Sequence, residues 1–269
     1  MRNGLAADRA TIPRPKPARM AQVRGGDRAA ECGERAHALT VAEIEVGLRS
    51  RNYDAFDGAV RAAGTLGAAG DALLAAVEGL DRYRAVSVAA ALGDVEGPHG
   101  GAVLRRMLAA RGTGTADLRC AALLAVAKRE GAHASAVLAE ALDDAVSAVR
   151  DYAILGLAAV GDGRACDTAF ARMKAMLARR RTREHRPSAV TLTVTYLLRH
   201  TDGDGGRAAA AMPLLRQRWW RLFDSERAWF AEHWPTLTPD GPDAPELADP
   251  APMQRRLLES GLFTRPGPP

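Results

Sequence analysis

Two stretches of this 269-residue chain carry the residue types from which chemistry or recognition could be built. The first is a basic run: Arg172, Lys174, Arg179, Arg180, Arg181, Arg183 and Arg186, with Glu184 as the one acid among them. Like charges this dense repel one another, and a phosphate-rich or acidic partner would relieve the repulsion. Arginines at the end of a helix also suit its dipole, so a solvated helix end accounts for the same residues. The second stretch is RWWRLFDSERAWFAEHW, which holds all four tryptophans (Trp219, Trp220, Trp229, Trp234) together with Phe223 and Phe230. Consecutive helical positions diverge by about 100°, so Trp219 and Trp220 cannot both enter one core. The cluster reads as a terminal cap in which one of the two remains available as a binding anchor. The candidate binding residues are therefore Arg179, Arg180, Arg181, Arg183, Arg186, Trp219 and Trp220.

Catalytic and metal chemistry find no such footing. Asp202 and Asp204 in HTDGDGG alternate as in a calcium loop, but position twelve would be Pro213 rather than glutamate. The histidines (His37, His99, His133, His185, His200, His233) lack a ligand-pair spacing. No phosphate loop, nucleophile elbow or dinucleotide fingerprint is present, so no cofactor and no catalytic residue is assigned. Cys32, Cys120 and Cys166 are odd in number and widely spaced, so no disulfide framework or zinc spacing follows, and Cys120 and Cys166, on apolar helical runs, read as small buried residues.

The elements that must position these residues are helical and repeated. AVLRRML (102–108) and AVLAEAL (136–142) align with a step of 34 residues, and Leu73-Leu74 and Ala169-Phe170 extend the series in both directions. Each pair has a further apolar residue one turn on: Val77, Met107, Ala141 and Met173. Each such helix follows another, with the apolar stripes Phe56, Val60, Ala63; Tyr83, Val86, Ala90; Leu118, Ala122, Ala125; and Val149, Ala153, Leu157, Val160. Arg82, Arg119 and Arg150 open three of these leading helices, and Gly93-Asp94 and Gly161-Asp162 supply turns. Asp143 and Asp144 are placed to cap the helix that follows. One hairpin of this kind cannot bury both faces alone, so neighbours must stack and share a core. A fifth unit spans Pro187 to Leu222. Within it AVTLTVTYL alternates as a strand would, but a lone strand has no partner in a helical array, and helix is the expectation.

The stretch VRDYAILGLAAVGDGRACDTAF resembles a HEAT repeat of the phycobiliprotein-lyase-like subtype, and the resemblance covers roughly residues 45–222. It implies an all-α, right-handed superhelix of about five helical hairpins, with the second helix of each pair lining the concave face. The domains expected are a disordered basic arm at 1–40, the repeats with their aromatic cap at 41–234, and a Pro-rich tail with a short helix at 235–269. The prolines make most of that tail extended and mobile. In the tail Met253, Leu257, Leu258 and Leu262 share a helical face, which is read as docking on the last repeat, with a partner-binding peptide as the alternative.

Charge completes the reading. The net charge is +5, but residues 1–40 carry eight basic residues against four acids, which leaves 41–269 almost neutral. All basic residues except Lys16, Lys128 and Lys174 are arginine, as expected of a GC-rich bacterial coding bias. No apolar stretch approaches a membrane span and no signal peptide is recognised, so a soluble cytoplasmic protein is expected. The leading function is a non-catalytic scaffold that binds another macromolecule, a protein, on its concave face. A nucleic-acid binder such as an alkylpurine DNA glycosylase is the alternative, with Trp219, Trp220, Asp224 and Trp229 offering the residue types. A bilin-lyase-like protein is a third possibility.

Overall fold

The computed structural model describes residues 39–112, 114–184, 187–201, 206–242 and 246–263. The N-terminal arm as far as residue 38, Cys32, His37, His185, Arg186, Asp202 and Asp204 lie outside them. The described residues form helices and connecting turns, with no strand. In chain order the helices are α1 (Val41–Leu48), α2 (Tyr53–Thr65), α3 (Gly70–Gly79), α4 (Arg82–Leu92), α5 (Pro98–Ala109), α6 (Ala116–Glu130) and α7 (Ser135–Ala141). They continue as α8 (Ser147–Val160), α9 (Cys166–Ala178), α10 (Ala189–Arg199), α11 (Gly206–Gln217), α12 (Asp224–His233) and α13 (Ala251–Glu259). No single described helix is long and apolar enough to cross a membrane.

Helix starts follow the sequence chemistry. Thr40 and Glu43 close a reciprocal capping box on α1, and the Asn52, Asp81 and Ser188 side chains accept backbone N–H groups at the starts of α2, α4 and α10. The start of α8 departs from expectation: no side chain caps it, Asp144 instead accepts from the Val146 N–H just before the helix (2.8 Å) and pairs with Arg119, and Asp143 pairs with Arg172.

The leading helices α2, α4, α6, α8 and α10 pack in chain order, each on the next. Their contact faces are rich in small residues. Ala122, Ala125, Ala153 and Ala158 are all buried, and this lets the backbones approach closely. Gly156 shows how closely: a Cβ there would stand 2.9 Å from a Leu138 methyl, so α7 and α8 meet closely enough that any larger residue would require the Leu138 side chain to shift. The aligned pairs do not share one register: Leu73 and Ala169 are buried where Leu74 and Phe170 are half-buried, Leu138 is buried where Val137 is half-buried, and only Val103 and Leu104 are both buried.

One expected stripe is on the wrong face. In α4 the buried residues are Ala85, Val88, Ala89 and Leu92, whereas Tyr83 is 84% exposed and Ala90 is exposed. RYRAVSVAAAL is weakly polar all round, so periodicity alone does not choose a face. Arg84 braces α4, its guanidinium reaching back to the carbonyls of Ser50 (2.8 Å) and Arg51 (3.3 Å), while the more exposed Arg82 pairs with Asp117 of α6.

The ambiguous AVTLTVTYL stretch is helix α10, and every residue from Val190 to Leu198 is buried. The alternation of apolar and threonine residues exists because both sides of the helix are packed. The hydroxyls of Thr191, Thr193 and Thr195 donate to the carbonyls of Ser188, Ala189 and Thr191, at 3.0, 2.7 and 2.9 Å, which removes the cost of burying them.

The described tail is packed rather than extended. Leu237, Met253 and Phe263 are buried, α13 lies against α8 and α10, and the Gln254 amide donates to the Ala159 carbonyl at 2.8 Å. Proline is compatible with this because it begins helical turns, at Pro235 and at Pro250-Ala-Pro252, where its missing N–H costs nothing.

Candidate functional site

Several arginines of the repeat region are internal braces. Arg119 is buried and ion-paired to Asp144, and Arg150 donates to the carbonyls of Asp144 (2.7 Å) and Ala145 (2.9 Å). Arg129, at the end of α6, donates to carbonyls at the end of α4 and in the loop beyond it, those of Leu92 (2.7 Å), Val95 and Gly97. Arg199, at the end of α10, does the same for the Leu157 and Ala158 carbonyls of α8, at 3.1 and 2.8 Å. A cation on the free carbonyls of a helix end satisfies them and opposes the negative end of the dipole. Such bonds contribute about 1.5–3 kcal/mol each. Part of the arginine abundance in this chain thus serves the fold.

The basic run divides by the same test. Arg181 is turned inward: its guanidinium donates to both carboxylate oxygens of Glu226, to one of them at 2.6 Å, and to the Arg221 carbonyl at 3.0 Å. It also lies over the Phe223 ring, 4.5 Å from the centroid. Glu226 is 1% exposed and accepts further bonds from the Ser188 hydroxyl and from Phe223 N–H (2.9 Å). Arg181 is therefore not free to meet a partner, which corrects its place among the binding candidates. Arg179, Arg180 and Arg183 are exposed, and none of them enters an ion pair among the described residues. Arg186 lies outside the described residues.

The aromatic stretch divides too. Trp234 is buried and donates its indole N–H to the Glu246 carbonyl at 2.8 Å. Trp229 stacks on His233 at 4.7 Å and meets Phe230 edge-on at 5.2 Å, and half-buried Trp219 lies 6.1 Å from Phe230. These rings pack around buried Phe230, and α12, which carries Trp229 and Phe230, lies against α10. Trp220 is not part of this cluster: it is 63% exposed, with the Arg221 guanidinium 4.1 Å from its ring centroid. Sequence reasoning correctly separated Trp219 from Trp220 but had no signal that Arg181 would tie residues 179–188 to 221–226. That tie brings both candidate stretches to one surface. Asp224, by contrast, is fully out in solvent beside Arg227, so it does not join Trp219, Trp220 and Trp229 around a cavity.

A second candidate is a groove of about 530 Å³ between α5 and α7. Leu108, Leu123, Val137 and Val149 form its apolar surface, and the buried Arg119–Asp144 pair lies at its base. Arg105 and Arg111 stand on the α5 side, and Glu140 and Asp143 on the α7 side.

No reactive cysteine accompanies either surface. Cys120 is buried, and burial first, then the Asp117 charge, push its thiol up to about 11. It is therefore protonated and shielded at neutral pH. Iodoacetamide should leave Cys120 unmodified in the native protein and alkylate it fully after unfolding, as read by mass spectrometry. Rapid native labelling would contradict this burial. Comparison with family models, with curated proteins and with solved structures finds no match to this chain.

Proposed function

We propose that this chain is a HEAT-like helical solenoid acting as a non-catalytic scaffold, and that its second-helix face binds a protein. The observation that carries the reading is the α5–α7 groove. It is large enough to take apolar side chains, lined by apolar residues, and bordered by basic residues on one side and acidic residues on the other. An amphipathic segment suits such a site, with its apolar anchors in the groove and its charges reading the two rims. The ordered packing of α2, α4, α6, α8 and α10, and the sharing of one core between successive units, support the repeat architecture.

A photo-crosslinking residue in place of Val137, expressed in the native cells, tests the reading. It should trap a discrete protein, and the exposed reversal Glu140→Arg should cut the yield at least tenfold. The same probe at Tyr83, which does not line the groove, should not trap it. Equal trapping from Tyr83, or indifference to Glu140→Arg, would contradict the proposal.

A further inference from the structure

The surface at residues 179–183 and 218–221 asks for a different ligand from the groove. In the stretches 179–184 and 218–227 the seven arginines Arg179, Arg180, Arg181, Arg183, Arg218, Arg221 and Arg227 are accompanied by three acids: Glu184, Asp224 and Glu226. Each acid is already engaged: Glu226 by Arg181, Asp224 by Arg227, and Glu184 by the Ser225 hydroxyl. Arg181 with Glu226 and Arg227 with Asp224 cancel in pairs, so Arg179, Arg180, Arg183, Arg218 and Arg221 are set against the single charge of Glu184, which the Ser225 hydroxyl bonds but does not neutralise. Beside it stands an exposed indole. The guanidinium stacked on that indole keeps its Nε buried and without a hydrogen-bond partner.

We propose that this surface binds single-stranded nucleic acid, with the exposed arginines on successive phosphates and Trp220 stacked on a base. Phosphates and planar rings in alternation are what this pairing of groups matches. A carboxylate-rich peptide would satisfy the arginines but gives the indole no ring to stack on. A duplex keeps its bases stacked inside, out of reach of a surface tryptophan. A duplex also needs a field broader than one patch, because screening cuts attraction off within about 8 Å at physiological salt. Residues 41–269 are almost neutral as a whole, so the attraction must be local, as a flexible strand permits.

The test uses the full chain, a labelled oligothymidine, the matching duplex and polyglutamate, read by fluorescence anisotropy and tryptophan quenching. Oligothymidine should bind with quenching, and its affinity should fall with salt with a log–log slope of about −0.7 per phosphate held. Trp220→Ala should weaken binding about tenfold or more. Charge reversal at Arg179, Arg180 and Arg183 should abolish it, although the basic N-terminal residues are retained. Both variants alter exposed side chains, and an unchanged thermal melt confirms their fold. If Trp220→Ala were to disturb the melt, Arg180→Glu with Arg183→Glu carries the test. Absence of oligothymidine binding at low salt, equal or tighter binding of duplex or polyglutamate, or full affinity in Trp220→Ala would each overturn the proposal.

Discussion

Replacing Glu226 with alanine is expected to destabilise the protein by about 3–5 kcal/mol, as the loss of one partner of a buried ion pair does. Glu226 accepts two bonds from Arg181, one from the Ser188 hydroxyl and one from Phe223 N–H, and all of these donors are left wanting when it is removed. Arg181, only 15% exposed, would then keep its charge without compensation. The double replacement Arg181→Met, Glu226→Leu should recover part of the loss, because no charge remains stranded. Urea denaturation of the three variants measures both effects. A loss below about 1 kcal/mol for Glu226→Ala would show that the pair is solvated and dispensable.

Leu157→Ala should cost about 2–5 kcal/mol, the range for a large core truncation. Leu157 is 0% exposed, and its helix α8 is packed against α6, α7, α10 and α13 at once. Four neighbours held by their own contacts leave little freedom to collapse into the space, which places the effect away from the lower end of the range. Its carbonyl also accepts from Arg199, so relaxation of α8 would strain that bond. Chemical denaturation checks this, and a change below about half a kcal/mol would place Leu157 on a surface.

The helical class was readable because apolar residues such as Val103, Leu104, Met107 and Val149, Ala153, Leu157 recur at helical spacing and are buried. The face of α4 was not readable, since alanine is nearly indifferent to burial and Tyr83 looks like a core residue in isolation. The helix at 189–199 was hard to tell from a strand because full burial erases the amphipathic period, and threonine back-bonding leaves no trace in composition. At the candidate surface, residue types were legible but roles were not. Arg180 and Arg181 are adjacent and chemically identical in the chain. What separates them is Glu226, 45 positions from Arg181, and no local pattern encodes that contact. The tail misled in part for a related reason: its prolines suggested extension around the short helix, whereas Leu237 is buried and Arg216, far back in the chain, donates to its carbonyl.

The central claim is that the Arg181–Glu226 tie joins two sequence-distant stretches into one surface. Nitroxide labels at Arg183→Cys and Ala228→Cys, both exposed, test it directly in a background with Cys32, Cys120 and Cys166 replaced. The distance distribution should be single, short and narrow, and should broaden when Glu226→Gln is added. A broad or long distribution that does not respond to Glu226→Gln would contradict the account.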